Sequence, residues 1–260
     1  MKTHWLVASV LTSLMVLLCG CSKPDPSFED VPPAKDLYEK GLKILEGGTL
    51  LYVIPRVNYS DAIETFQTII DNYPYSDYAV LSELRIADAY FDQDKYEEAL
   101  SYYRDFGDLH PQNEKVPYTL YRAALCHERR MKSPNRDQTA TRDALVYLDR
   151  LIYSYPHSEY TLKAEELWRA LRLQLGEQIM GIADFYLGRE EFESAAARYR
   201  SLLNEYPGLG LDAMALYRLG RCYLEMNRNE EAGRIFQAIV QNYYDTDAAR
   251  EAEQMLAREQ

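Results

Sequence analysis

Three stretches of this 260-residue chain space their small, aromatic and apolar residues in the same way. The clearest runs from Ile179 to Pro207. There Ala183, Tyr186, Ala195, Tyr199, Leu202 and Pro207 are separated by 3, 9, 4, 3 and 5 positions. The same gaps occur at Ala87, Tyr90, Ala99, Tyr103, Phe106 and Pro111. They occur again at Gly220, Tyr223, Ala232, Phe236 and Ile239, with Tyr244 where the proline would fall. A small residue on each of two successive helices lets them approach closely. Proline cannot continue a helix and holds its predecessor extended, so each Tyr-Pro or His-Pro ends the second helix of a pair. Such pairs bury their apolar faces against their neighbours and not in one central core.

This spacing is the tetratricopeptide pattern. It predicts an all-α superhelix of about five helix-turn-helix repeats plus a C-terminal capping helix over residues 35–260. Repeats 1 and 2 fall at about 35–111, and repeats 3 to 5 with the cap at about 112–260. Repeat 1 has Leu37, Tyr38, Gly41 and Leu45, then Ala62, Phe66 and Ile69. Gly41 and Ala62 are 21 positions apart where the regular repeats have 12, so nine residues are inserted, within GGTLLYVIPRVN. An apolar insertion at that turn either folds back onto the array or meets a partner, and the sequence leaves both open. In repeat 3, Ala124 and Ala144 are 20 positions apart, an insertion of eight within MKSPNRDQTATR. Repeat 4 is stretched in its first helix, predicted over about 159–187 and about 43 Å long. Asp245-Thr246-Asp247 precedes a last helix, Ala248 to Glu259, with a charged outer face.

Ahead of the repeats, Lys2 and His4 are followed by an apolar run from Trp5 to Leu18. That run is short for a membrane span and reads as an export leader over residues 1–20. Leu18-Cys19-Gly20-Cys21 resembles a bacterial lipobox, which makes Cys21 the acylated first residue of the mature chain. An ordinary cleaved leader beside a chance cysteine is the plainer alternative. The run SKPDPSFEDVPP reads as a flexible tether over residues 21–34. Several acyl chains on one residue give stable anchoring where one would not. Ser22 after the cysteine suggests the outer membrane, since aspartate there marks inner-membrane retention in enterobacterial sorting.

The remaining composition narrows the function. With 47% hydrophobic and 27% charged residues, the chain suits a folded protein. Net charge is −12, and losing Lys2 with the leader makes it −13. That balance disfavours nucleic acid and capture of anionic headgroups. Cys126 and Cys222 remain after the leader and lie two repeats apart, with about four helix layers between them. That separation is too great for a disulfide. His110, His127 and His157 are scattered, and no HExxH, GxSxG, P-loop or dinucleotide glycine signature occurs, so neither metal, cofactor nor catalysis is expected. In a tetratricopeptide array the first helices line the concave face. The positions pointing into it in repeats 1 and 2 are Tyr38, Leu42, Leu45, Leu84, Asp88 and Phe91. An apolar, aromatic groove with one acid suits an extended or amphipathic peptide carrying aromatic residues. Packing against a neighbouring helix is the plainer alternative for each residue alone.

The lipobox, the tether and the five helix pairs are joined by Asn135-Arg136-Asp137 in the repeat 3 insertion. Tyr155-Pro156-His157-Ser158-Glu159-Tyr160 then leads into the overlong helix. Together they resemble the BamD family of outer-membrane β-barrel assembly lipoproteins over essentially the whole mature chain. The resemblance implies a non-enzymatic role at the periplasmic face of the outer membrane. Family members dock on the barrel-forming assembly subunit through C-terminal repeats and receive unfolded barrel precursors through N-terminal ones. Other assembly lipoproteins are further candidate partners. An arginine in the family's repeat 4 turn meets an acid of the barrel subunit, and Arg189 occupies that turn. A solvated turn charge is the plainer reading of Arg189. An envelope scaffold serving cell-wall synthesis or division is the alternative function.

Overall fold

A computed structural model describes residues 31–50, 54–134 and 136–258. The described elements are α1 (Ala34–Glu46), β1 (Gly48–Leu50), β2 (Ile54–Arg56), α2 (Tyr59–Asn72), α3 (Asp77–Asp92) and α4 (Tyr96–Leu109). They continue with α5 (Val116–Glu128), α6 (Thr139–Ser154), α7 (Thr161–Gly188), α8 (Phe192–Glu205), α9 (Asp212–Glu225), α10 (Asn229–Asn242) and α11 (Asp247–Arg258). The fold is all-α in its packed elements, as five helix pairs and a last single helix. The chain divides into two compact units, residues 1–82 and 83–260, with the division inside α3.

The second helices stop where the prolines require. Tyr73, His110, Tyr155 and Tyr206 each follow a helix, have φ between −123° and −134°, and precede Pro74, Pro111, Pro156 and Pro207. Tyr243 takes the same shape, φ −131°, with Tyr244 after it. Three helix starts are capped by short polar side chains. Asn58 accepts from the Asp61 N–H at 3.4 Å, Ser76 from Ala79 at 3.2 Å and Thr246 from Ala249 at 3.2 Å.

In the first unit α1 packs against α2. The close approach is set by Gly41, where a methyl group would lie 2.6 Å from the Phe66 ring. Gly220 meets Phe236 in the same way at 2.6 Å. Gly220 and Phe236 are 16 positions apart and Gly41 and Phe66 are 25. The nine inserted residues therefore leave the helix–helix contact unchanged. Part of that insertion forms an antiparallel hairpin pairing Gly48 with Arg56, Thr49 with Pro55 and Leu50 with Ile54. The two short strands are an addition to the expected all-helical fold. The Tyr73 hydroxyl donates to the Val31 carbonyl at 3.1 Å, tying down the residues that enter α1.

In the second unit each helix from α4 to α11 packs on the next in sequence, and α9 also meets α11. Its C-terminal core joins Ala183, Tyr199, Leu202, Leu219, Phe236 and Ile239 to Ala248, Ala249 and Ala252 of α11. The opposite face of α11 carries exposed Arg250 and Glu253, as a terminal cap requires. The overlong helix α7 has 28 residues, about 42 Å. Cys126 and Cys222 are free and buried. Burial pushes the Cys126 thiol up to about 12 and the Cys222 thiol up to about 11. Among the described residues no helix is long and apolar enough to cross a membrane.

Candidate functional site

The leader at 1–20, Cys21, Ser22 and the tether as far as residue 30, together with Asn135, lie outside the described residues. Tyr38, Leu42 and Leu45 are on α1 in the first unit. Tyr38 is only 8% exposed, and its ring packs on Phe66 and Tyr78 at centroid distances of 5.6 and 5.5 Å. Leu42 and Leu45 are half-buried.

Leu84, Asp88 and Phe91 are on the part of α3 that belongs to the second unit. Leu84 is buried. Asp88 and Phe91 are half-buried and converge on Arg122 of α5. The Asp88 carboxylate accepts from the Tyr103 hydroxyl at 2.6 Å and from the Tyr118 hydroxyl. Arg122 donates from Nε to the Tyr103 oxygen at 2.9 Å, and its Nη2 stands 3.6 Å from Asp88. The guanidinium lies 3.8 Å from the Phe91 ring centre, a close cation–π stack. Burial first, and then the Asp88 charge, push the Tyr103 and Tyr118 hydroxyls well above the usual tyrosine range, so both stay donors. Tyr118 and Tyr121 continue the aromatic surface onto Tyr160, at 5.5 and 5.9 Å. The result is a patch of ring faces and hydroxyls around one fixed guanidinium. It can stack aromatic side chains and hydrogen-bond an extended backbone.

Two repeats further on, the same arrangement recurs in more open form. Asp184 of α7 accepts from the Tyr199 hydroxyl at 2.5 Å and from Arg218 Nη1 at 2.6 and 2.5 Å. The pair lines a polar cavity of about 710 Å³ with Leu187, Phe192, Arg221 and Glu225. Neither Arg122 nor Arg218 was singled out from the sequence. The signal was present: Asp184 and Arg218 are 34 positions apart, as are Asp88 and Arg122, one regular repeat length.

Arg189 follows the last residue of α7 in a tight turn. Glu190 takes a left-handed φ of +61°, and Asp94 and Asn227 do the same, at +60° and +59°, in the corresponding turns. The Glu191 N–H reaches the Tyr186 carbonyl at 3.0 Å and closes the turn. Arg189 is mostly exposed. Its Nε donates to Glu191 Oε1 at 3.0 Å, and its guanidinium lies 5.6 Å from the Phe185 ring centre. Arg189 is thus held in a local ion pair with Glu191, at an exposed position where such pairs hold weakly.

The repeat 3 insertion is strapped to α7. Gln138, 1% exposed, donates to the Ser133 carbonyl at 2.9 Å and accepts from Thr141 at 2.9 Å and Gln174 at 2.7 Å. Gln174 also reaches the Lys132 carbonyl at 3.1 Å, and Gln178 the Arg136 carbonyl at 3.3 Å. Among the described residues no group of three or more His, Cys, Asp and Glu side chains is placed to hold a metal ion.

Comparison with known proteins places this geometry in context. A family model described as an outer membrane lipoprotein, YfiO, matches residues 32–237. The outer membrane protein assembly factor BamD of Caulobacter vibrioides is 29% identical, over 91% of this chain and 75% of its own length. That of Vibrio cholerae is 30% identical, over 74% of this chain and 79% of its own. Among solved structures, the TPR2AB domain of yeast Sti1 in complex with pHSP90 is similar with a TM-score of 0.46 and 13% identity. That similarity covers 86% of this chain and 82% of that one.

Proposed function

This chain belongs to the YfiO family of outer membrane lipoproteins, and from that membership we propose that it is a non-catalytic component of the outer-membrane β-barrel assembly machinery. The observation that carries the reading is the family match across residues 32–237, joined by relatives that are themselves named outer membrane protein assembly factors. Residues 1–20 act as an export leader and 21–34 as a tether. Cys21 holds the chain at the periplasmic face of the outer membrane through its acyl groups.

Unfolded barrel precursors bind at the surface around Asp88 and Phe91 beside Arg122; of the other residues expected to take part, Tyr38 and Leu84 are buried and Leu42 and Leu45 belong to the first unit. Support comes from the chemistry around Phe91: rings and hydroxyls are already fixed by Asp88 and Arg122, so little side-chain freedom is lost when a peptide stacks there. The barrel-forming subunit docks at the repeat 4 turn through Arg189. The turn presents the guanidinium on a rigid helix end, and the weak bond to Glu191 is readily exchanged for a carboxylate that becomes desolvated on docking.

The test is co-purification of the tagged lipoprotein with the barrel subunit from detergent-solubilised envelopes. Arg189→Glu should lower recovery by at least about 2 kcal/mol of docking energy. An acid-to-arginine change on the subunit should restore part of it, which a pair internal to this chain could not do. Unchanged recovery with Arg189→Glu would remove that residue from the interface.

A further inference from the structure

We propose that docking at Arg189 has a second, apolar half: the cavity between the repeat 3 insertion and α7 seats one large apolar side chain of the same partner. This inference rests on the docking role of Arg189 given above. The cavity is about 450 Å³ and is lined by Pro134, Glu177, Gln178, Gly181, Ile182 and Phe185, with Tyr186 at its edge. Its size is within the roughly 300–1,000 Å³ of clefts that hold ligands. Ile182 and Phe185 are large apolar residues left 38% and 60% exposed.

Two observations point to an occupant. First, the wall opposite α7 is built and held. The insertion that supplies Pro134 is strapped down on either side of that proline by Gln138, Gln174 and Gln178. Second, Gly181 lines the opening, and no packing contact within the chain requires a glycine there. Glycine inside a helix costs about 1 kcal/mol relative to alanine. Gly176 is accounted for, because a methyl group there would meet Leu211 at 3.0 Å and Leu202 at 3.3 Å. A methyl group at Gly181 would meet nothing within 4 Å. The space it would take is the cavity itself.

The partner's chemistry follows from continuity and charge. Gly181, Phe185 and Arg189 succeed one another at i, i+4 spacing on one stripe of α7. Arg189 lies against Phe185, so the cation and the apolar opening form one surface. The occupant is a folded surface with a carboxylate about 10 Å from a large apolar side chain, matching the seven-residue rise from Ile182 to Arg189. The apolar anchor supplies desolvation, without which the exposed Arg189 pair would be worth little.

The experiment compares Gly181→Leu, Phe185→Ser and Arg189→Glu in the full acylated chain. It measures the dissociation constant for the purified barrel-forming subunit in detergent, with thermal midpoints by circular dichroism. Gly181→Leu fills the cavity while removing a helix glycine, so its midpoint should hold or rise and its dissociation constant should increase about tenfold or more. Phe185→Ser, at an exposed position, should weaken docking with little change in midpoint. Wild-type docking by both, with Arg189→Glu weakened, overturns the cavity and leaves the Arg189 reading standing. Normal docking by all three overturns both. Weakening by Gly181→Leu and Phe185→Ser with normal docking by Arg189→Glu contradicts the two-part surface proposed here.

Discussion

Arg122 stands across a repeat boundary from Asp88, its Nη2 3.6 Å from the carboxylate and its Nε bonded to the Tyr103 hydroxyl that Asp88 also accepts from. Arg218 stands across the corresponding boundary from Asp184, but its Nη1 donates directly to both carboxylate oxygens, and the setting is more open. The side chains of the first pair are 19% and 19% exposed, and those of the second 30% and 40%. Removing the guanidinium should therefore cost unequal amounts at the two sites. Arg122→Met leaves Asp88 with the more exposed Arg85, 3.8 Å away, as a remaining charge partner, a loss of about 2 kcal/mol. Arg218→Met should cost about 1 kcal/mol or less, since water can replace the lost partner. Urea unfolding of the two variants measures the difference, and equal losses would contradict the burial argument.

Much of this fold was legible from small and aromatic residues. Gly220 and Phe236, Ala183 and Tyr199, and Ala87 and Tyr103 announce helix pairs because close packing admits few alternatives. Helix ends were legible wherever proline enforces them. The overlong α7, expected at 159–187, is found at Thr161–Gly188. The hairpin at Gly48–Arg56 was not legible, because strands of three residues have no readable period. The Asp–Tyr–Arg clusters have no signature within a single repeat, because Arg122 and Arg218 come from the repeat after the acid they hold. The strapping of the repeat 3 insertion depends on glutamine amides bonding to loop carbonyls. Such bonds follow from the loop's path and leave no pattern in the sequence. Where the six residues of the expected peptide groove fall was only partly visible: Tyr38 and Leu84 are buried, whereas Asp88 and Phe91 meet at Arg122.

The glycine of repeat 5 tests the packing directly. In Gly220→Ala the new methyl group would be forced to within 2.6 Å of Phe236, so the ring or the helix must move. Overpacking of this kind costs about 1–3 kcal/mol. Adding Phe236→Leu should recover part of the loss, although Phe236→Leu alone is destabilising. Independent, additive losses in the double variant would show that Gly220 and Phe236 do not limit the approach of α9 to α10.

Stability should fall in mild acid through His127. Its ring is buried and stacks on Tyr147 at 5.5 Å, with Asp143 3.8 Å from Nδ1. Burial lowers its folded-state pKa below the ordinary 6.5. Asp143 opposes that shift and Arg130 adds to it. The unfolded chain therefore binds this proton first as pH falls. The stabilising contribution is complete above about pH 6.5 and is lost as pH drops through the folded value. Thermal midpoints between pH 7.5 and 5 should decline more steeply for the wild type than for His127→Gln. Parallel declines would exclude this residue.

Peptide binding is best tested at Phe91, because Leu84 is buried and Leu84→Asp should unfold the helix it packs in. Phe91→Asp replaces the ring beneath Arg122 with a further acid beside Asp88 and Asp92. If stacking on that surface supplies about 3 kcal/mol, affinity for a fluorescent peptide from the last strand of a barrel protein falls about a hundredfold. Unchanged affinity in a folded variant would move the binding surface elsewhere.

The most direct test of a role in barrel assembly is conditional depletion of this chain in its own cell, followed by the ratio of folded to unfolded barrel proteins in the envelope. Folded and heat-denatured barrels migrate differently in a gel, so one sample reports both. The account predicts that unfolded precursors accumulate in the periplasm before growth or septation changes, and that wild-type protein restores folding while Cys21→Ala does so poorly. Normal barrel folding with an early block in cell-wall synthesis or division would contradict it and favour an envelope scaffold.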